Sequence, residues 1–317
     1  MIEVHGLRKV YGNYVAIENL DFSICGNGVY GFLGPNGAGK STTMNILAGC
    51  LAPTSGEVRI NGFDIQRYPK QAKASVGYLP EIPPVYPDMT PWEYLAFVAE
   101  AMGVPARMRE VQIREAMERT GISNVANRLC RQLSKGYRQR VGISQALLGT
   151  PKLIILDEPM VGLDPRQIRE IRELIEDLGR EHMVLLSSHI LPEVRSVCKH
   201  ILIIANGRLI ANDTPENLVK QYAGLYQLHL RIRISREEAA QILSELPCVH
   251  SYEITEEENG IVAVTAQTEP ETQEATFFAF ANRRRPILEM TASQTSLENV
   301  FLELTLDAVS RKGEERQ

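Results

Sequence analysis

The sequence predicts an α/β domain built on a parallel sheet, followed by a smaller α+β domain of order βαββαβ. Three observations predict it. Short apolar runs at Leu153–Leu156, Met183–Ser187 and His200–Ile204, with a helical stretch at Arg166–Gly179 between the first two, read as strands covered on both faces. A glycine-rich stretch, "GPNGAGKST", stands between a strand and a helix. Past residue 225 the rhythm changes to alternating strands separated by short amphipathic helices. A chain of 317 residues is long for one core, and the change of rhythm places the boundary so that 1–215 and 216–317 form separate domains.

The elements follow in order. Ile2–Val10 and Ala16–Ile24 alternate as strands, and Val29–Leu33 is a short apolar run ending in glycine. A helix is predicted from Lys40 to about Gly49, then a strand in "SGEVRINGFDI" with a turn at Asn61-Gly62. In "TPWEYLAFVAEAMG", threonine precedes a proline at the first helical position, and "REVQIREAMERTGI" is a second amphipathic helix. These make a helical insert over about 82–140. Ser134 is a good N-cap for the helix in "LSKGYRQRVGISQAL", whose first turn would present backbone N–H groups to an anion. A polar helix around Thr214–Gly224 closes the first domain. The second reads as strand "YQLHLRIRIS", helix "REEAAQILSEL", strands "VHSYEI" and "GIVAVTAQT" around Glu256–Asn259, helix "PETQEATFFAFANR" and strand "PILEMTAS". A terminal helix capped by Ser296 and a fraying "SRKGEERQ" end the chain.

Composition excludes several classes. A net charge of −5 gives no electrostatic reason to expect nucleic acid as partner. No apolar run reaches the roughly 18 residues needed to span a bilayer, and the N-terminus lacks the apolar core of a signal peptide, so a cytoplasmic location is expected. The 5 cysteines are scattered without C-x-x-C spacing, which disfavours a zinc site or disulfide framework. They are expected to be reduced and buried.

The chemistry concentrates in three places. Gly34–Thr42 fits G-x-x-x-x-G-K-[ST]: Gly34, Pro35, Asn36, Gly37, Ala38 and Gly39 let backbone N–H groups wrap nucleotide phosphates. Lys40 would bond the outer phosphates, Ser41 would hold Mg²⁺, and Thr42 completes the motif. "LIILDEP" delivers Asp157 and Glu158 at the end of a buried strand, where desolvation makes idle carboxylates costly. Asp157 is placed to bind Mg²⁺ and Glu158 to accept a proton from an attacking water. His189 in "LLSSHILPEV" stands at the same position on another strand; alone it reads more readily as a packing or capping histidine, and beside the phosphate loop the functional reading is favoured.

Residues 1–215 resemble the nucleotide-binding subunit of an ATP-binding-cassette (ABC) transporter. The resemblance implies a P-loop NTPase cassette with a RecA-like core, an antiparallel β part and the helical insert; the βαββαβ order of the rest reads by itself as a ferredoxin-like domain. It implies that Tyr11 stacks on adenine, although taken alone Tyr11 is as readily a strand-edge packing residue. Glu81 in "VGYLPE" falls at the Q-loop, "LSKGY" at the signature, "GLDP" (Gly162–Pro165) at the D-loop, and His189 at the switch histidine. It also implies a head-to-tail pair of cassettes in which Ser134 and Gly136 contact ATP held by the other copy, a second copy of this chain or a paralogous subunit. A membrane-embedded permease would be the partner, placing the chain on the inner face of the membrane. The alternative is a soluble cassette ATPase acting on a ribosome or DNA.

Two departures from the family pattern stand out. The signature is usually Leu-Ser-Gly-Gly-Gln, and Lys135 and Tyr137 replace its third and fifth residues. Lys135 either adds charge near the trans phosphates or points to solvent, the reading favoured here, and Arg138 and Arg140 read as a solvated helix face. Glu81 replaces glutamine; a carboxylate near a triphosphate repels it unless Mg²⁺ or a proton compensates, so Glu81 is expected to sense Mg²⁺ or the reacting water. With "LSKGYRQR" and "SLENVFLELT", this glutamate resembles exporter ATPases made as separate subunits, of the drug, polysaccharide, lipid and gliding-motility type. "PEIPPVYPDMT" suits a semi-rigid coupling surface or a plain loop, and the arginines of "NRRRP" read as solvated.

Overall fold

A computed structural model describes residues 1–222, 226–256, 260–269, 272–294 and 301. The terminal helix expected at Ser296, the terminal tail and most of the Glu256–Asn259 turn lie outside them. The chain divides into two compact units, one of Met1–Pro215 and one beginning at Glu216.

In the first unit, β1 (Ile2–Tyr11) and β2 (Tyr14–Ile24) form a hairpin, β3 (Gly28–Leu33) runs into the glycine-rich loop, and α1 (Lys40–Leu47) follows. Then come β4 (Ser55–Ile60), β5 (Phe63–Asp64), α2 (Pro69–Lys73), β6 (Val76–Leu79), α3 (Pro91–Ala101), α4 (Ala106–Arg119) and α5 (Lys135–Leu147). The unit closes with β7 (Leu153–Asp157), α6 (Pro165–Glu181), β8 (Met183–Ser188), α7 (Leu191–Arg195), β9 (His200–Ala205) and β10 (Arg208–Asp213).

Two sheets result. The order β2-β1-β4-β5 is antiparallel, whereas β10-β9-β3-β8-β7-β6 is parallel except for its β10 edge. Phe22 and Ile60 of the first sheet join Phe32, Ile155 and Leu185 of the second and Met44 of α1 in one core. The central parallel strands β7 and β8 are buried along their whole length and β3 and β9 past their first residue, which explains why they read as unbroken apolar runs.

The helical insert has its own core, where Tyr94 and Leu95 of α3 meet Ile113 and Met117 of α4 and Val141 of α5. Thr90 opens α3 with a capping box, its hydroxyl accepting from the Glu93 N–H while the Glu93 carboxylate accepts from the Thr90 N–H. Helix α5 lies so close on β6 that a Cβ at Gly77 would sit 1.8 Å from the Ala146 carbonyl oxygen.

Helix α8 (Pro215–Tyr222), expected to close the first domain, has only Pro215 in the first unit. The rest of it opens the second unit, which continues with β11 (Tyr226–Arg233), α9 (Arg236–Ser244), β12 (Val249–Glu256), β13 (Ile261–Thr268), α10 (Thr272–Asn282) and β14 (Ile287–Gln294). Its antiparallel sheet has the order β12-β13-β11-β14, the ferredoxin-like arrangement. Leu228, Leu230 and Ile232 alternate inward to meet Ile242 and Leu243 of α9 and Phe280 of α10.

Several expectations need correction. Cys130 and Cys198 are buried, but Cys25 and Cys50 are exposed because each sits where an element ends and the chain turns outward; all are free. Arg140 does not belong to a solvated face: it donates to the Thr120 carbonyl at 2.8 Å and pairs with Glu170 at 2.5 Å. Arg138 is exposed as expected. In the second unit, Arg283 pairs with Glu245 and Arg285 grips Glu238 through two hydrogen bonds, so two of the three arginines brace α9.

Candidate functional site

The glycine-rich loop follows β3, and its neighbours β8 and β7 bring their carboxyl ends to the same edge, with Leu33 level with Ser188 and Asp157 with Ser187. Three adjacent parallel strands therefore deliver Lys40, the Asp157–Glu158 pair and His189 to one place. Gly34 must be glycine, since a Cβ there would lie 2.3 Å from the Ile204 carbonyl oxygen. Gly39 precedes α1 with φ +105, and no side chain caps that helix. Thr90, Ser134 and Asp164, by contrast, cap α3, α5 and α6 with their own oxygens. The first-turn amides of α1 are thus left for an anion.

Lys40 is 6% exposed. Its Nζ donates to the carbonyls of Gly34 at 2.8 Å and Pro35 at 3.3 Å, and lies 3.3 Å from Glu158 Oε1. The other oxygen of Glu158 meets His189 Nδ1 at 3.0 Å. Glu158 holds this position with φ 49, in the left-handed region that a non-glycine residue rarely adopts, and its N–H donates to Ser187 Oγ at 2.9 Å. The Ser187 hydroxyl in turn donates to Asp157 Oδ1 at 2.5 Å, and the Ser41 hydroxyl reaches the same oxygen at 3.3 Å. Burial pushes the Asp157 carboxyl above its ordinary value, against the lowering effect of the Ser187 and Ser41 hydroxyls; the nearby charges of Glu158 and Glu81 raise it further.

Lys40, Ser41, Glu158 and His189 open into a cleft of about 530 Å³, whose lining does not include Gly34, Pro35, Ala38, Asp157 or Ser187. Tyr11, Asn36, Gly37, Gly39, Lys40, Ser41, Thr42, Glu81, Glu158 and His189 line it, together with Tyr14, Ala16 and Val161. Sequence reasoning missed Tyr14 and Ser187. The signal for Ser187 was present in "LLSSH", a hydroxyl at the end of an apolar strand beside the one bearing "LDE". For Tyr14 the signal was a second aromatic directly across the Gly12-Asn13 turn from Tyr11.

Ser134 and Gly136 lie elsewhere. Ser134 accepts from the Tyr137 N–H at 3.3 Å, as its capping role predicts. Gly136 borders a second cavity, of about 440 Å³, with Arg140, Gln167 and Glu170. Lys135 is exposed, yet its ammonium folds over the D-loop of its own chain: a Cβ at Gly162 would lie 2.2 Å from Nζ. The expectation of a solvent-directed lysine is corrected to that extent.

The sequence profile of the ABC transporter family matches residues 17–161. The bacitracin transport ATP-binding protein BcrA of Bacillus licheniformis is 33% identical over 96% of this chain and 97% of its own length. The linearmycin resistance ATP-binding protein LnrL of Bacillus subtilis (strain 168) is 30% identical over 96% of this chain and 98% of its own. Among solved structures, an ATP-binding subunit of an ABC transporter superposes with a TM-score of 0.63 at 31% identity, covering 70% of this chain and 93% of that one.

Proposed function

Because the chain belongs to the ATP-binding subunits of ABC transporters, an ATPase whose hydrolysis is coupled to transport, we propose that it powers export through a separate membrane permease by ATP-driven closure of two cassettes. The relatives named for bacitracin transport and linearmycin resistance support a role in transport, and a relative named for Nod factor export supports the direction. One observation carries the composite site. Asn36, Gly37, Gly39, Lys40, Ser41, Thr42, Glu158 and His189 line one cleft, whereas Ser134 and Gly136 lie outside it. A second cassette, a copy of this chain or a paralogous subunit, would bring its own signature helix to close the cleft.

In this reading ATP places its base against Tyr11 and its phosphates in the Gly34–Gly39 loop, on the open amides of α1. Lys40 exchanges its contact with Glu158 for the outer phosphates. Glu158, released, takes a proton from water whose oxygen attacks the terminal phosphorus, and the bond to the ADP oxygen breaks to leave ADP and inorganic phosphate. His189 orients Glu158 and the terminal phosphate, and the amides of the partner's signature helix stabilise the charge that develops. Among the described residues no group of three or more His, Cys, Asp and Glu converges on a cation site. Ser41 and Asp157 nevertheless supply hard oxygen donors around one carboxylate oxygen, a set that suits Mg²⁺ completed by phosphate oxygens and water. The ion would neutralise phosphate charge there. Glu81, at the rim of the same cleft, would reach this ion through water.

Hydrolysis replaces the shared triphosphate with separate like charges and loosens the pair. The insert presents exposed Ile82, Tyr86 and Phe97, with the rings of Tyr86 and Phe97 5.7 Å apart, an apolar surface for the permease beside Glu81. Among the described residues no helix is long and apolar enough to cross a membrane. The reading places the chain on the inner face of the membrane through that permease. The test is to trap Glu158→Gln with ATP and Mg²⁺, extract the membranes in detergent and identify what accompanies it. A permease bound in an ATP-dependent manner supports the proposal; sedimentation with ribosomes or retention on DNA instead overturns it.

A further inference from the structure

The β1–β2 turn carries more than the one aromatic residue that the nucleotide reading uses. Tyr11 and Tyr14 are register partners flanking Gly12-Asn13, and both line the phosphate cleft. They are 46% and 55% exposed, a large apolar area for the tip of a hairpin. The Tyr14 hydroxyl donates to the Gly37 carbonyl of the phosphate loop at 3.4 Å, which sets the ring beside the mouth of the loop. The Lys9 ammonium lies over the Tyr11 ring, 5.1 Å from its centroid. That ammonium is anchored by donating to the Ala52 carbonyl at 2.8 Å, and the strand beside it is stitched to the same segment by Val10 N–H to Thr54 Oγ1 at 3.0 Å.

We propose that this turn is a two-ring base site in which Tyr14 contacts the nucleobase alongside Tyr11, with Lys9 as the positioning residue that holds the Tyr11 ring, and that the site selects purine over pyrimidine nucleotides. The proposal rests on the reading of the cleft as a nucleotide site and adds two residues to it. An ammonium on one face of a tyrosine ring is attracted by its quadrupole and fixes its tilt. Lys9 does not line the cleft, so in this proposal it holds the Tyr11 ring from outside the space that a base would enter. A purine, with the larger π-face, can cover both rings at once. A pyrimidine is limited to about one, and stacking free energy follows the overlap.

The test is calorimetric titration of the full chain with MgATP, MgCTP and inorganic triphosphate with Mg²⁺, which carries no base. Tyr14→Ala is expected to weaken ATP about tenfold and leave triphosphate within about twofold, while Tyr14→Phe, which keeps the ring, binds ATP like the parent. Lys9→Met is expected to weaken ATP about threefold and narrow the preference for ATP over CTP, and Lys9→Arg to restore both. Equal losses for ATP and triphosphate in Tyr14→Ala, or a Tyr14→Phe variant as weak as Tyr14→Ala, would overturn the proposal, because Tyr14 would then act through Gly37 on the phosphate loop. Unchanged ATP affinity in Tyr14→Ala would overturn it as well. The nucleotide reading fails separately, if Lys40→Ala binds ATP and triphosphate as well as the parent.

Discussion

Glu158→Gln is the substitution whose effect can be worked furthest from the geometry. The residue is 7% exposed, and its two oxygens are divided between Lys40 at 3.3 Å and His189 at 3.0 Å. At an effective dielectric of about 20, the gross attraction to Lys40 is about 5 kcal/mol, much of it offset by the cost of desolvating both ions. Glutamine keeps the size and one carbonyl oxygen for Lys40, so the chain should fold. Two quantities should then move apart. Turnover should fall by about 10² to 10⁴, equivalent to about 3–5 kcal/mol on the barrier, because no group remains to take the water proton. ATP affinity should hold or rise several-fold, because the phosphates no longer compete with a carboxylate for Lys40. Single-turnover phosphate release and calorimetric ATP titration measure the two separately. Turnover within tenfold of the parent would refute the assignment of Glu158 as base. Loss of ATP binding together with turnover would show that the side chain supports the loop rather than the chemistry.

Other consequences are more local. Thr90→Ala removes the capping box of α3 and should lower stability by about 1 kcal/mol, read as a shift in urea midpoint with ATP affinity unchanged. Glu193 is buried and receives the Ser188 hydroxyl at 3.3 Å, and desolvation raises its carboxyl above the ordinary value of 4.5. Its ionised form therefore costs stability. The cost is absent below the ordinary value, grows as pH rises through the raised folded value, and is constant above it. Melting temperatures measured against pH should show Glu193→Gln gaining on the parent across that window and holding its advantage at higher pH.

What was legible in the sequence is what short stretches determine alone. The turn of the phosphate loop, the carboxylates closing an apolar strand, and the Thr90-Pro91 and Ser134 helix starts each depend on neighbours within a few residues. Elements that depend on distant partners were not legible. β6 is only four residues long and contains Gly77, which is there because α5 presses on it. β10 reads as polar because it is the partly exposed edge of a buried sheet. Arg140 looked like a solvated residue because its acid, Glu170, lies on a helix far along the chain. Lys135 against Gly162 and Tyr14 against Gly37 are contacts of the same kind, set by how loops from different strands meet.

The central claim is that one active site is shared between two cassettes. It is tested by mixing two dead variants, Lys40→Ala, which cannot grip phosphate, and Ser134→Arg, which blocks the signature helix. In a head-to-tail pair, a mixed dimer joins the intact phosphate loop of the second variant to the intact signature of the first. ATPase activity should therefore reappear on mixing, towards half that of the parent per mixed dimer. A mixture as inactive as its two components, under conditions where the parent dimerises, would contradict the account.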